Sequence, residues 1–139
     1  MESCVFCRII KGEIPAAKVY EDEEITAFLD IAPASERGGH TLVMPKRHME
    51  TITDLSEEEL NAVMRVVRKI VKALLKFGEG VNVLQNNKRV AGQAVAHMHI
   101  HVIPRFERDG IVVEKWVAHR YKEGEIEKVA ERIRSFLKD

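Results

Sequence analysis

The alternation of apolar and polar positions along the chain predicts five strands and two long helices. Runs rich in apolar and β-branched residues predict strands at 19–21, 25–29, 40–44, 81–85 and 97–103. Ser56 and Glu59 have the spacing of a capping box, which begins a helix that Gly78 ends. The apolar stripe of that helix consists of Leu60, Val63, Val67, Ile70, Val71 and Leu74. A second amphipathic helix carries Ile126, Val129, Ala130, Ile133 and Leu137.

The connections between these elements indicate an α+β fold. Neighbouring strands are joined by short or loop-like links and only one helix intervenes, so we expect a five-stranded antiparallel sheet. We expect the helices to pack on one side of it. A short helical turn at 4–11, ending at Gly12, precedes the first strand. Because the chain has 139 residues and no linker or repeat, residues 1–139 are expected to form a single domain.

Three histidines at alternating positions, His97, His99 and His101, point most directly to function. On a strand, alternate side chains share a face, so the three imidazoles lie together while Met98 and Ile100 face the core. Imidazoles titrate near neutral pH and serve as nucleophiles or proton carriers. A satisfied polar residue or a metal clip is the alternative interpretation of such histidines. Three of them in strict alternation favour a functional site.

Cys4 and Cys7 form a pair at C-x-x-C spacing that could chelate one soft metal ion. A redox pair of this spacing usually lies in a βαβ unit, which the pattern here does not predict. A tetrahedral zinc site needs two further ligands, and the candidates are His40, His48, His97, His99, His101 and His119. We interpret His119 as a surface residue because its neighbours are polar. Two cysteines and two histidines would leave no open coordination position, so such a site would be structural.

The segment 86–94, just before the histidines, has the composition of an anion-binding loop. Gly92 and its small neighbours allow backbone N–H groups to approach an anion, and the carboxamides of Asn86 and Gln93 add donors. Many hairpin loops share this composition, and a solvated loop is the simpler interpretation of Lys88 and Arg89. Beside a row of histidines, however, such a loop would hold a phosphate next to a nucleophile.

Charge and hydropathy exclude some classes of partner. Lys plus Arg and Asp plus Glu both number 22, so no net field attracts nucleic acid or an anionic membrane. No apolar run is long enough to cross a bilayer, and residues 1–8 lack the apolar stretch of a signal peptide. We therefore expect a cytoplasmic protein without a nucleic-acid or membrane partner. In a reducing compartment, its two cysteines are expected to be metal ligands or redox groups rather than a disulfide.

Residues 92–105, with the sequence GQAVAHMHIHVIPR, resemble the signature of the histidine triad (HIT) nucleotide hydrolases and transferases. The resemblance extends to 4–10, 27–31 and 40–48, and it is closest to the small single-domain Hint and Hit proteins. The motif-bearing core spans 3–106, and 107–139 would be a C-terminal extension with a helix. The resemblance implies a HIT-like fold whose sheet continues across a homodimer. The long helix also has more apolar residues than one face of the sheet is expected to cover, which is consistent with a dimer. The additional residues are Met64, Leu75 and Phe77.

The resemblance also implies an activity on the α-phosphate of nucleoside phosphoramidates or dinucleoside polyphosphates. His99 would attack phosphorus and form a nucleotidyl-histidine intermediate, which water would release as nucleoside monophosphate. His97, His101 and His40 would complete the catalytic group, with His101 on a phosphate oxygen and His40 at the border of the pocket. The expected partner is a purine nucleotide such as AMP or its phosphoramidate and polyphosphate derivatives.

Further contacts follow from the resemblance by position. The expected nucleotide-binding residues are Val5, Phe6, Ile9, Phe28 and Ile31 around the base, Asp30 at the ribose, and Asn86, Gly92, Gln93, Ala94, Val95 and His101 at the phosphate. One structural zinc ion per chain would be held by Cys4, Cys7, His48 and His97.

Two features depart from the Hint pattern. Ala94 stands where many Hint proteins have a serine that donates to the leaving group, which predicts slower turnover of poorly activated substrates. The loop 32–39 is longer, so roles for its rim, including Ser35, Glu36 and Arg37, do not transfer. The alternative function is a nucleotide-binding or interaction module with a zinc-stabilised fold and negligible catalysis.

Overall fold

The computed structural model describes residues 3–113, 115 and 117–137. Positions 1–2, 114, 116 and 138–139, which the expected domain 1–139 includes, lie outside the described residues. The elements, in chain order, are α1 (Val5–Ile10), β1 (Lys18–Glu21), β2 (Ile25–Leu29), β3 (Thr41–Pro45), α2 (Glu57–Phe77), β4 (Gly80–Gln85), β5 (Ile100–Arg105) and α3 (Glu125–Phe136). The order of strands and helices is therefore the predicted one.

The five strands form one sheet in the order β1-β2-β3-β5-β4, and every neighbouring pair is antiparallel. This confirms the predicted sheet. The capping box is also confirmed, because the Glu59 amide donates to Ser56 Oγ (3.1 Å) and the Ser56 amide donates to the Glu59 carboxylate (2.9 Å). The connection between β3 and β4 contains α2, which crosses one face of the sheet.

Four predicted strand starts differ from the structure, and two of them concern histidines. β1 and β4 each begin one residue earlier, at Lys18 and Gly80. β3 begins at Thr41 rather than His40, and β5 begins at Ile100 rather than His97. The chain before β5 leaves the sheet because the Met98 amide donates to the carbonyl of Met49 (2.6 Å) instead of to a neighbouring strand. The alternation of faces persists, since Met98, Ile100 and Val102 are all buried in the core.

The sheet has a packed core on each face. Under α2, residues from β2, β3 and β5 pack against its apolar stripe, including Ile25, Ala27, Val43, Ile100 and Val102 from the strands and Val63, Val66, Val67, Ile70 and Leu74 from the helix. On the opposite face, Phe28, Leu42 and Met44 pack against Phe6 and Ile9 of α1. The expectation that all helices cover one side was therefore wrong. Phe6 and Ile9 carry α1 across the second face, which also bears the functional residues.

The C-terminal helix α3 forms where its periodicity predicts it. None of its residues is buried, and Ile126, Ile133 and Phe136 are each more than half exposed. Between β5 and α3, the chain forms a turn that the Arg105 side chain stabilises. Its guanidinium donates to the Asp109 carboxylate (2.8 Å) and to the carbonyl of Ile111 (2.8 Å). Among the described residues, no helix combines the length and the hydropathy needed to traverse a bilayer.

Candidate active site and metal centre

Cys4, Cys7, His48 and His97 meet beside the N-terminus of α1. One potential ligand atom from each lies within 4.8 Å of all the others. Cys7 Sγ is 3.2 Å from His48 Nδ1 and 3.5 Å from His97 Nδ1, and Cys4 Sγ is 3.6 Å from His97 Nδ1. The four residues expected to hold zinc are thus brought together, while the exposed His119 lies outside the cluster.

The donor set and its spacing fit a tetrahedral zinc ion. Bonds of about 2.3 Å to sulfur and about 2.0–2.1 Å to nitrogen place a thiolate and an imidazole about 3.6 Å apart around such an ion. His97 Nε2 lies 2.8 Å from the carbonyl of Pro45, which only accepts, so Nε2 carries the proton. The lone pair of His97 then lies on Nδ1, the atom that faces the two sulfurs.

Both ring nitrogens of His97 therefore have partners, Nε2 the Pro45 carbonyl and Nδ1 the two sulfurs. The sequence predicts His97 for the catalytic group as well as for the metal, and its ring faces the cysteines. Its main-chain carbonyl faces the next histidine of the row. That carbonyl accepts a hydrogen bond from His99 Nδ1 at 2.6 Å.

His99 is presented as a neutral nucleophile. Because the His97 carbonyl requires a proton on Nδ1, the free lone pair of His99 lies on Nε2. No hydrogen-bond partner of that Nε2 occurs among the described residues. Only 6% of the residue is exposed, and burial lowers the pKa of His99, which keeps the ring uncharged at neutral pH. The Phe6 ring packs against the imidazole with 5.0 Å between centroids and restricts its rotation.

His101 and His40 form a hydrogen-bonded pair whose proton positions are fixed by the main chain. The Ala34 amide donates to His40 Nδ1 (3.0 Å), so the neutral His40 ring carries its proton on Nε2. His40 Nε2 then donates to His101 Nδ1 (2.9 Å). The remaining proton of His101 lies on Nε2, so this ring is a hydrogen-bond donor to a ligand.

Burial keeps both rings of this pair neutral. The pKa of His101 is lowered to about 4, mostly by burial and in smaller part by the nearby imidazoles of His99 and His40. Burial also lowers the pKa of His40, although the carboxylate of Asp30, 3.8 Å from His40 Nε2, opposes the shift. A neutral donor pair is suited to binding phosphate oxygens without competing with the nucleophile for a proton.

The residues expected around a nucleoside lie in two environments. Phe6, Ile9 and Phe28 are buried in the α1 core. Val5 is 39% exposed and Ile31 is 99% exposed, so these two lie at a rim that a ligand could cover. Asp30 is half-buried; one carboxylate oxygen accepts from the Ala32 amide (2.9 Å) and the other faces His40.

The loop expected to hold phosphate is closed on itself. Asn86 Nδ2 donates weakly to the carbonyl of Gly92 (3.4 Å), which brings the two ends of the loop together. Gln93 is 5% exposed and its carboxamide is bonded at both ends inside the protein, to the Lys88 amide and the Glu50 carbonyl. This differs from the direct nucleotide contact that the sequence predicts for its side chain. Ala94 and Val95 line a cavity of about 350 Å³ together with Ser3, Cys4, Val5, His48 and Ala96.

The groups that sequence reasoning missed are mostly main-chain atoms. The Ala34 amide, the Pro45 carbonyl and the His97 carbonyl each set the proton position of one histidine. Backbone groups leave no residue-specific pattern, so no motif could have identified them. Asn87 was also missed; its side chain accepts from the Ile52 amide (3.0 Å) and anchors the loop.

Known proteins resemble this chain in sequence and in fold. The sequence model of a family described as the HIT domain matches residues 11–108. An uncharacterised HIT-like protein of Methanocaldococcus jannaschii is 53% identical over 112 residues, which make up 80% of this chain and 85% of that protein. An adenosine 5'-monophosphoramidase of Schizosaccharomyces pombe is 41% identical over 136 residues, covering 98% of this chain and 99% of the relative.

Solved structures agree with these matches. The crystal structure of a HIT family protein from Bacillus subtilis superposes with a TM-score of 0.87 at 40% identity, covering 96% of both chains. A zinc-bound histidine triad family protein from Mycobacterium smegmatis superposes with a TM-score of 0.74 at 33% identity, covering 96% of this chain and 97% of that one.

Proposed function

Because this chain belongs to the HIT domain family, we propose that it is a nucleotide hydrolase or transferase acting on the α-phosphate of nucleoside phosphoramidates or dinucleoside polyphosphates. The observation that carries the proposal is the protonation pattern of His99, whose Nδ1 is bound to the His97 carbonyl and whose Nε2 is free. The S. pombe relative named as an adenosine 5'-monophosphoramidase supports an adenosine substrate with a phosphorus–nitrogen bond.

The reaction proceeds in two displacements at phosphorus. His99 Nε2 attacks the α-phosphorus, a phosphorus–nitrogen bond forms, and the bond to the leaving group breaks with its electron pair. The leaving amine or phosphate takes up a proton from solvent as it departs. Water then attacks the nucleotidyl-histidine and gives up a proton to solvent, the bond to His99 breaks with its electron pair returning to Nε2, and nucleoside monophosphate is released. His101 donates from Nε2 to a phosphate oxygen in both steps, with its orientation set by His40.

The nucleotide is held by residues from four parts of the chain. The base lies against α1 and β2, with Val5, Phe6, Ile9 and Phe28 as its walls and Ile31 closing over it at the rim. Asp30 accepts from the ribose hydroxyls, in addition to its bond from the Ala32 amide. Asn86 and the main chain from Gly92 to Val95 bind the phosphate. Gln93 belongs to this group through its position in the loop rather than by direct contact.

One zinc ion per chain is the metal we propose for the cluster of Cys4, Cys7, His48 and His97. The zinc-bound relative from M. smegmatis and the tetrahedral spacing of the donors support it. Four protein ligands close the coordination sphere, so the ion acts as a structural tether between α1 and the segment that carries His99. Thiolate ligands also require reduced cysteines, which supports a cytoplasmic location.

A homodimer is the assembly that the surface favours. β4 is an edge strand of the sheet, and its Val83 is 48% exposed. Met64, Leu75 and Phe77 on α2 are exposed to a similar degree, and Phe77 also contacts Phe106 within the same chain. Pairing of β4 with its copy would extend the sheet and cover these apolar residues. Sedimentation equilibrium at micromolar concentration should show a dimer; a monomer there, with AMP bound or not, removes this proposal.

Two measurements, binding of the product AMP and turnover of a substrate, distinguish an enzyme from the alternative of a nucleotide-binding module. Calorimetric titration with AMP should show binding in the parent and in His99→Ala. The parent should release AMP from adenosine 5'-phosphoramidate or from a diadenosine polyphosphate, and His99→Ala should not. Binding of AMP by a parent that turns over neither substrate would leave only the module.

A further inference from the structure

Lys88 adopts a main-chain conformation that lysine rarely takes. Its φ is +76° and its ψ is 156°, a combination that glycine tolerates and that side chains with a Cβ disfavour. A strained residue of this kind persists only where the surrounding structure forces it, and such residues cluster at binding sites. The Lys88 side chain does not explain the strain, because it is 63% exposed and makes only a surface ion pair with Glu50.

Gln93 bonds to both main-chain polar groups of Lys88. Its side-chain carbonyl accepts from the Lys88 amide at 2.7 Å, and its own amide donates to the Lys88 carbonyl at 3.2 Å. The Lys88 carbonyl also accepts from the Ala91 amide at 3.1 Å, within the same loop, so the Lys88 amide is the group that only the Gln93 side chain binds among the described residues. The other half of the Gln93 carboxamide donates to the Glu50 carbonyl at 2.6 Å. A side chain that uses its donor and its acceptor while almost completely buried has a defined orientation.

The bonds to Gln93 determine the shape of the loop between them. The turn Arg89–Ala91 follows Lys88 and ends at Gly92, whose φ is +101°. A Cβ at Gly92 would lie 3.3 Å from Asn86 Nδ2, so the two ends of the loop approach as closely as a glycine allows. Asn86 and the amides that follow Gly92 therefore converge because Lys88 and Gln93 close the loop behind them.

The anchor of Gln93 also relates this loop to the nucleophile. Glu50, which accepts from Gln93, directly follows Met49, whose carbonyl accepts from the Met98 amide (2.6 Å). His99 is the next residue after Met98. The loop and the histidine segment are therefore both bonded to adjacent residues of one segment, which fixes their separation.

We propose that Gln93 is a positioning residue that sets the distance and shape of the phosphate-binding loop relative to His99, acting through the strained backbone of Lys88 without touching the substrate. This inference rests on the proposed function. Gln93 acts on groups that bind phosphate oxygens present in the substrate, the intermediate and the product. Its loss should therefore weaken ligand binding more than it slows the chemical step.

The test compares Gln93→Ala alone with two double variants. In Gln93→Ala, the dissociation constant of AMP and KM should each rise about tenfold while kcat falls less than about threefold. Adding Lys88→Gly should restore most of the lost affinity, because glycine adopts the required conformation without a side chain to enforce it. Adding Lys88→Ala, which removes the same lysine and its ion pair with Glu50, should restore none. Thermal unfolding should show that all the variants are folded.

A second single variant covers the case in which Gln93→Ala does not fold. Gln93→Glu keeps an acceptor for the Lys88 amide and replaces the donor to Glu50 by a charged oxygen, so it should raise KM by a similar factor. Unchanged AMP affinity in a folded Gln93 variant, or equal recovery with Lys88→Gly and Lys88→Ala, overturns the inference. A parent that binds AMP without turnover contradicts the proposed hydrolase, while the AMP affinities still decide the role of Gln93. A parent that does not bind AMP overturns both.

Discussion

Two clusters of histidines lie side by side in this protein, and they differ in where their protons point. In the Cys4, Cys7, His48 and His97 cluster, the N–H of His97 points outwards to the Pro45 carbonyl and the lone pair points inwards. The Asp30, His40 and His101 cluster also brings three potential ligand atoms within 4.8 Å of one another. There the Ala34 amide occupies His40 Nδ1, so an N–H points inwards to His101.

The comparison shows that a single main-chain group decides what a histidine cluster can do. A carbonyl behind the ring leaves a lone pair in the cluster and favours a metal, whereas an amide behind the ring leaves a proton there and favours a hydrogen-bond relay. Distance and residue type alone would assign a metal to both clusters. The tautomers favour a metal in the first cluster only, and they are consistent with the phosphate binding that we propose for the second.

The largest expected effect comes from the residue that belongs to neither cluster. His99→Ala should lower kcat/KM by about 10⁴-fold or more, equivalent to about 5.5 kcal/mol, because the proposed attack on phosphorus uses the free lone pair on His99 Nε2. Zinc content and the melting temperature should remain those of the parent. Turnover within tenfold of the parent, or loss of the metal from this variant, would show that the division between the clusters is wrong.

The second-largest expected effect is a loss of stability when the first cluster is broken. Cys7→Ser should lose the metal and lower the free energy of unfolding by more than about 3 kcal/mol, because α1 is then tethered to the sheet only by apolar contacts. AMP affinity should fall as well, since Phe6 and Ile9 of α1 form the base wall. Metal analysis and chemical denaturation measure both effects. A chelator should destabilise the parent and leave Cys7→Ser unchanged; a parent indifferent to metal removal would contradict the structural role.

Breaking the second cluster should affect catalysis with little change in metal content. His40→Leu removes the proton donor to His101 and should lower kcat by about tenfold to a hundredfold, or about 1.4–2.7 kcal/mol. His40→Gln is the matched control, because its side-chain amide can still donate to His101 Nδ1, and it should stay within about threefold of the parent. Equal losses in the two variants would mean that the volume of His40 matters and its proton does not.

The last expected effect, on stability rather than on catalysis, is a pH dependence caused by His101. Its pKa is lowered from 6.5 in the unfolded chain to about 4 in the fold. Between those values the unfolded state binds more protons, so stability is fully present above pH 6.5 and is lost as the pH falls towards 4. Denaturation at a series of pH values should show a shallower acid slope in His101→Gln than in the parent. Identical slopes would contradict burial of a neutral ring.

The sequence predicts the parts of this protein that depend on side-chain pattern. The five strands, the capping box at Ser56 and the cluster of Cys4, Cys7, His48 and His97 follow from periodicity, spacing and resemblance. The start of β5 was missed because the bond from Met98 to Met49 is a tertiary contact without a local pattern. The side of the sheet covered by α1 was missed because Phe6 and Ile9 pack against strands that are distant in the chain.

The proton positions could not be predicted for a related reason. Each depends on which backbone group lies behind a ring, and Ala34, Pro45 and His97 present those groups through their main chain. Gln93 has a different explanation. A polar residue in a glycine-containing loop predicts a ligand contact, whereas burial and two internal bonds give it a positioning role.

The central claim is that Nε2 of His99 forms the covalent bond to phosphorus, and a rapid quench under single-turnover conditions tests it directly. The parent, mixed in excess over adenosine 5'-phosphoramidate and quenched in base, should carry up to one adenylyl group per molecule of substrate supplied. Peptide mapping and ³¹P NMR should place this group on the Nε2 atom of His99. An adduct on another residue, or on Nδ1 of His99, would contradict the account, as would product formation at the full rate without any adduct.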